Sequence, residues 1–187
     1  LHDALPISEN IVNACKETQT GYIRCLREME TSSEDLAGQE QVRVFESVRE
    51  AAKFLSTTEG NILITTGSKE LKEYTKIGNY QERCFARVLS TKAAVEESVR
   101  LGFEGKHLIA MQGPFSEEMN LALLHQTRAR YFVTKESGKA GGFEEKLKAA
   151  KNAGAVLIVI GRPQEIGRSV QEVCHFIESS FVKKEQE

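Results

Sequence analysis

The chain has 187 residues, is 40% hydrophobic and 28% charged, and carries a formal net charge of −2. That composition suits a globular domain with a real core, and it gives no reason to expect binding to nucleic acid or to a membrane surface. The longest apolar run, Ala155–Ile160, is far too short to span a bilayer.

Cys15, Cys25, Cys84 and Cys174 are scattered, with no C-x-x-C pair and no histidine at ligand spacing. This pattern predicts reduced, mostly structural thiols, no bound metal and a cytoplasmic location.

Leu1–Ile7 has neither an initiating Met nor the basic and apolar regions of a signal peptide, so it reads as a truncated or artificial start. Ile11, Val12 and Cys15 fall at helical spacing over residues 8–19, with Ser8 as the expected N-cap and Gly21 ending the helix. Tyr22–Leu26 alternates like a strand, and the polar, acidic stretch 28–41 reads as a loop. Val42–Phe45 predicts a short strand. Ser47–Leu55 predicts a helix with Val48, Ala51, Ala52 and Leu55 on one face. Thr57–Gly60 breaks that pattern and places a domain boundary between residues 59 and 60.

From Asn61 the pattern becomes regular. Apolar strands are expected at Ile62–Thr66, Cys84–Leu89, Leu108–Met111, Tyr131–Thr134 and Val156–Ile160. Amphipathic helices follow at 68–74, 91–101, 116–128, 142–153 and 165–180, and Lys183–Glu187 is a solvated tail. Alternation of this kind predicts an α/β fold, a doubly wound five-stranded parallel sheet with helices on both faces. The flavodoxin-like order 2-1-3-4-5 is the default for five such strands, and right-handed crossovers would point all their carboxyl ends one way.

Ligands in open α/β sheets sit outside those carboxyl ends. There the sequence gathers Thr65, Thr66, Gly67, Ser68 and Lys69, then Arg87, then Gln112, Gly113 and Pro114. Thr134, Lys135, Ser137 and Gly138 follow the fourth strand, and Arg162 the fifth. Taken singly, the glycines serve turns, Ser68 and Ser116 cap helices, and Arg162 before Pro163 is a solvated turn. The four histidines show no catalytic pattern, and no triad or Walker loop is present, so catalytic residues stay unassigned. Convergence of Lys69, Arg87, Lys135 and Arg162 on one edge, however, suits a ligand rich in carboxylates or phosphates. Glu117-Glu118 and Glu144-Glu145 repel an anion from their helix starts, which leaves Thr66–Lys69 as the better anion seat.

Several of these stretches together resemble one family. Gly60-Asn-Ile-Leu-Ile-Thr-Thr-Gly-Ser-Lys-Glu-Leu71, Glu82–Leu89 and Met111-Gln-Gly-Pro-Phe-Ser-Glu-Glu-Met-Asn120 are similar to precorrin-6A reductases of cobalamin synthesis. So are Thr134–Gly138, Gly141–Phe143 with Lys146, and Arg162-Pro163. The likeness runs from Ser8 to about Phe181. It implies two Rossmann-like domains with NADPH and an anionic tetrapyrrole, cobalt-precorrin-6A, in the cleft between them. Hydride would pass from the nicotinamide to one double bond of the macrocycle, with no metal or flavin in that step.

On this resemblance Gln112, Gly113, Pro114, Thr134, Lys135, Ser137 and Gly138 are assigned to the cofactor. Thr65, Thr66, Gly67, Ser68, Lys69, Arg87 and Arg162 are assigned to the substrate. Contacts with other enzymes of the cobalamin pathway are a further implication. Members of the family begin with a strand and a glycine-rich nucleotide loop that this sequence lacks. Residues 1–59 therefore read as the remnant of a first Rossmann-like domain and 60–187 as the C-terminal α/β domain, with weak NADPH binding expected of the chain alone. A non-catalytic module holding a tetrapyrrole or nucleotide stays open as an alternative, as does a uroporphyrinogen-synthase-like enzyme.

Overall fold

The computed structural model of the protein describes residues 7–26, 41–135, 142–161 and 167–182. They fall into two compact units: Glu30–Pro163, and Leu1–Met29 together with Gln164–Glu187.

In the larger unit, strands β1 (Val42–Phe45), β2 (Asn61–Ile64), β3 (Cys84–Val88), β4 (Leu108–Ala110), β5 (Ala129–Lys135) and β6 (Val156–Ile160) form one sheet. Every pairing is parallel. The order is β1-β6-β5-β2-β3-β4. The five strands expected after Gly60 are all present, but counted among themselves they run 3-2-1-4-5 and not 2-1-3-4-5. A strand–helix repeat carries the same amphipathic signature in either order. The side of β2 on which the next strand lies is decided by packing, which periodicity does not report. β1 and the following helix α2 (Val48–Ser56) belong to this sheet as well, so the boundary expected at residue 59 falls inside the unit.

Alternation along the strands divides the core between the two faces. Ile62, Ile64, Cys84, Ala86, Tyr131, Val133, Ile158 and Ile160 face one way, where they meet Leu55 of α2 and Leu71 and Tyr74 of α3 (Leu71–Tyr74). Ala94 of α5 (Lys92–Arg100) joins the same cluster. Leu63, Phe85, Phe132, Leu157 and Val159 face the other way, against Leu123 and Leu124 of α6 (Glu117–Thr127) and Phe143, Ala149 and Ala150 of α7 (Phe143–Ala153).

Local signals explain the helix ends. Ser47, Thr91 and Ser116 each accept a hydrogen bond from the backbone N–H three residues on, relieving donors that the first turn cannot satisfy. Gly154, at φ +66°, ends α7 in the left-handed region that glycine enters without strain. The helix expected at 68–74 is instead a 3-10 turn, Ser68–Glu70, running into the single turn of α3. A further turn, α4 (Tyr80–Arg83), had no distinct signal in the sequence.

The smaller unit contains α1 (Ile7–Glu17) and α8 (Val170–Val182). α1 begins at Ile7, so Ser8 lies inside it and is not its cap. The strand expected at Tyr22–Leu26 is reduced to a bridge between Cys25 and Arg168. Leu26 N–H donates to the Arg168 carbonyl and Arg168 N–H to the Arg24 carbonyl, both at 2.8 Å. The helix expected over 165–180 starts at Val170 and groups with this unit rather than with the sheet.

Candidate functional site

The chain reverses direction across the sheet between β2 and β5. β3 and β4 extend to one side of that pair, and β6 and β1 to the other. A crevice at the carboxyl ends of strands around such a reversal is the usual ligand seat of this architecture. A cavity of about 470 Å³ opens there. Thr65 and Gly67 after β2, Arg87 in β3, Gly113–Phe115 after β4, and Gly142 and Lys146 at the start of α7 line it.

Arg87 is the anchor. Strand alternation could aim it at either face, and the structure puts it on the α6–α7 face, 5% exposed. Its Nη1 donates to Asn120 Oδ1 at 2.7 Å, and its guanidinium lies 3.9 Å from the centroid of the Phe115 ring. Asn120 is itself fully buried. Its Nδ2 donates to the Ser116 carbonyl at 2.8 Å, which turns the amide oxygen toward Arg87. No carboxylate pairs with Arg87 among the described residues. Among the described residues its charge meets a neutral amide and an aromatic face. Burial pulls its pKa down to about 10.

Lys146 stands beside it. Burial, followed by the positive charge of Arg87, lowers its pKa to about 8, and Glu145 opposes the shift. Arg87 and Lys146 thus bring two cations, both held partly out of water, to one cavity.

The other expected site residues are distributed unevenly. Thr65 lines the cavity, with its hydroxyl donating to the Val133 carbonyl at 2.8 Å. Thr66 is buried and donates to the Tyr74 hydroxyl at 3.3 Å, and burial raises the Tyr74 pKa. Gly67, at φ +96°, has open space where a side chain would stand. Ser68 is half-buried and Lys69 exposed, and neither lines the cavity. The anion seat expected at Thr66–Lys69 thus reduces to Gly67, since the helix it relied on is a short 3-10 turn.

Gln112 is exposed beside Gly113 and Pro114, which do line the cavity. Thr134 is fully buried and donates to the Lys135 carbonyl at 3.2 Å, so it serves the framework. Lys135 pairs with Glu70, whose other oxygen, Oε2, is buried without a hydrogen-bond partner among the described residues. Ser137, Gly138 and Arg162 lie outside the described residues. Of the four cations expected to converge, Arg87 alone is seen at the cavity, and Lys146 joins it there.

The sequence reading left Lys146 and Asn120 out of the site, and it placed Phe115 on the same edge without giving it a role. The first two had a detectable signal, being polar residues on buried helix stripes: Phe143, Lys146, Ala149 and Ala150 on α7, and Asn120, Leu123, Leu124 and Thr127 on α6. Among the described residues no group of three or more His, Cys, Asp and Glu side chains could hold a metal ion, and no helix is long and apolar enough to cross a membrane.

A doubly wound parallel sheet with a cationic cavity at the carboxyl ends of its strands defines a Rossmann-like α/β unit. Comparison with known proteins carries the assignment further. The family model for precorrin-6x reductase CbiJ/CobK matches residues 4–178. The cobalt-precorrin-6A reductase of Priestia megaterium is 36% identical over 174 residues, covering 90% of this chain and 66% of that one. Its counterpart from Methanothermobacter thermautotrophicus is 37% identical over 164 residues, covering 86% and 52%. A solved structure of CobK precorrin-6A reductase has the same fold, with TM-score 0.65 at 20% identity, over 92% of this chain and 68% of that one. The chain belongs to the precorrin-6x reductase CbiJ/CobK family. It spans just under two thirds, or less, of the length of these two curated relatives.

Proposed function

We propose that this chain serves the NADPH-dependent reduction of one double bond in the (cobalt-)precorrin-6A macrocycle. One observation carries the reading: a buried arginine that meets no carboxylate among the described residues, reinforced by a second cation, faces an open cavity on the ligand-binding edge of the sheet. A polycarboxylate tetrapyrrole supplies the missing negative charge. Arg87 would hold one substrate carboxylate through a charge-assisted pair, with Asn120 and Phe115 fixing the orientation of its guanidinium. Thr65, Gly67 and Gly113 put little side-chain bulk around the same cavity, which suits the flat edge of a macrocycle.

The exposed rim at Gln112–Pro114 fits the polar edge of a nicotinamide dinucleotide, whereas the fully buried Thr134 side chain does not. When bound, NADPH supplies the hydride. The residues of this chain orient the macrocycle and exclude water from it.

The test is anaerobic NADPH consumption with cobalt-precorrin-6A. It is run with this chain and with the chain extended by the amino-terminal residues of the Priestia megaterium relative. Oxidation by either supports the reading, and none by both removes it. Arg87→Gln is expected to weaken tetrapyrrole binding by about 1–3 kcal/mol, the worth of a hydrogen bond to a charged group. An unchanged Michaelis constant would show that this edge is not the substrate site.

A further inference from the structure

Reduction of a double bond by hydride also consumes a proton. The hydride brings one hydrogen and an electron pair to one atom, the π bond breaks, and the pair displaced onto the neighbouring atom must be protonated. The donor has to open into the cavity and give up its proton near neutral pH. Among the described residues lining the cavity, two side chains are ionisable cations, Arg87 and Lys146, and no other lining residue is an acid. Arg87 keeps its proton at any pH near neutrality and is committed to Asn120 and Phe115.

We propose, on the reductase reading above, that Lys146 is the proton donor to the macrocycle. One Nζ–H bond breaks, one bond to hydrogen forms at the atom next to the hydride acceptor, and the neutral amine is reprotonated by water before the next turnover. NADPH is the reductant and the macrocycle the oxidant, so electrons and protons balance.

The surroundings of Lys146 suit that task. Its helix packs on the sheet through Phe143, Ala149 and Ala150, which holds the lysine stem partly out of water. Among the charges acting on it are Arg87 from β3, which disfavours the ammonium form, and Glu145 from its own helix, which favours it. α6, packed against α7, buries Asn120, Leu123 and Leu124 and sets one carboxylate against that helix, Glu117, which accepts from Asn152 Nδ2 at 2.7 Å; Phe115 is neutral. A pKa near 8 leaves the group protonated at neutral pH, yet acidic enough to release that proton.

Two measurements test the assignment. In the ligand-free chain, NMR titration of labelled lysine, with Lys146 assigned by Lys146→Arg, should show a midpoint near 8. A midpoint at the ordinary lysine value overturns the proposal whatever the kinetics. In turnover, Lys146→Ala should lower kcat by about a hundredfold or more, beyond the rise in tetrapyrrole KM that follows from losing one cation of the cavity, and Lys146→Arg should restore that KM. Added primary amines should restore the rate, the more acidic amines most. Lys146→Arg keeps the charge and the packing yet should not recover kcat. If the wild-type chain and its extended form turn over and Lys146→Ala does too, the proposal falls alone. If neither wild-type form turns over, the reductase reading falls and takes the proposal with it.

Discussion

The two units of the molecule use the same local signal to different ends. Both contain helices with apolar stripes, but only Glu30–Pro163 encloses them. Leu63, Phe132 and Leu157 are fully buried there, between helices on either face of the sheet. In the other unit no described residue of segments 10–26 and 167–179 is buried. Ile11 and Ile177 remain 47% and 46% exposed. A parallel sheet covered on both faces brings residues distant in sequence into one dry interior. The described residues of the smaller unit are joined instead by backbone bonds between 24–26 and 168, and by Arg168 over the Phe176 ring at 5.0 Å. Amphipathicity thus marks which face of a helix is apolar, and the architecture around it decides how much that face contributes to stability.

The largest effect should separate the units directly. Phe132→Ala removes a fully buried ring from the sheet core and is expected to cost about 3–5 kcal/mol in urea unfolding. Phe176→Ala removes an exposed ring and should stay within about 0.5 kcal/mol. Equal costs would break the comparison.

A smaller change sharpens it. A Cβ at Gly167 would stand 2.8 Å from the Arg24 carbonyl oxygen and 2.7 Å from Leu26 Cγ. Gly167→Ala should therefore open the bridge and forfeit its two hydrogen bonds, about 0.5–1.5 kcal/mol each. Amide exchange would speed up at Leu26 and Arg168 and stay unchanged in β5. Faster exchange in both places would mean that the units unfold as one.

A third test is a pH dependence confined to the sheet unit. Between about 8 and 10.5 the folded chain has released the Lys146 proton while the unfolded chain still holds it. The unfolded state then binds more protons, so this group makes stability rise with pH across that window and contributes no slope below it. Denaturant midpoints measured through the window should show the rise in the wild type and lose it in Lys146→Met.

The sequence by itself determined the alternation of strands and helices from Asn61 to Ile160, because two-residue and helical periodicities each report directly on one buried face. Ser116 as a cap was legible in the same way, since a short hydroxyl before an acidic first turn satisfies backbone donors locally. Those signals are carried by neighbours along the chain. Strand order is not, and only the folded sheet put β1 beside β6 and sent β3 and β4 to one side of β2.

The site divides along the same line. A cation near the end of β3 could be read from position alone. That Arg87 faces α6, meets Asn120 across 33 residues of chain and shares a cavity with Lys146 depended on which sheet face the two helices cover. Lys69 and Lys135 had equal claims in the sequence. Lys69 stayed exposed, and Lys135 was taken by Glu70 from the neighbouring strand's loop. Which charges share a cavity and lose their water is decided by tertiary packing, and neither condition is written into residues adjacent in sequence.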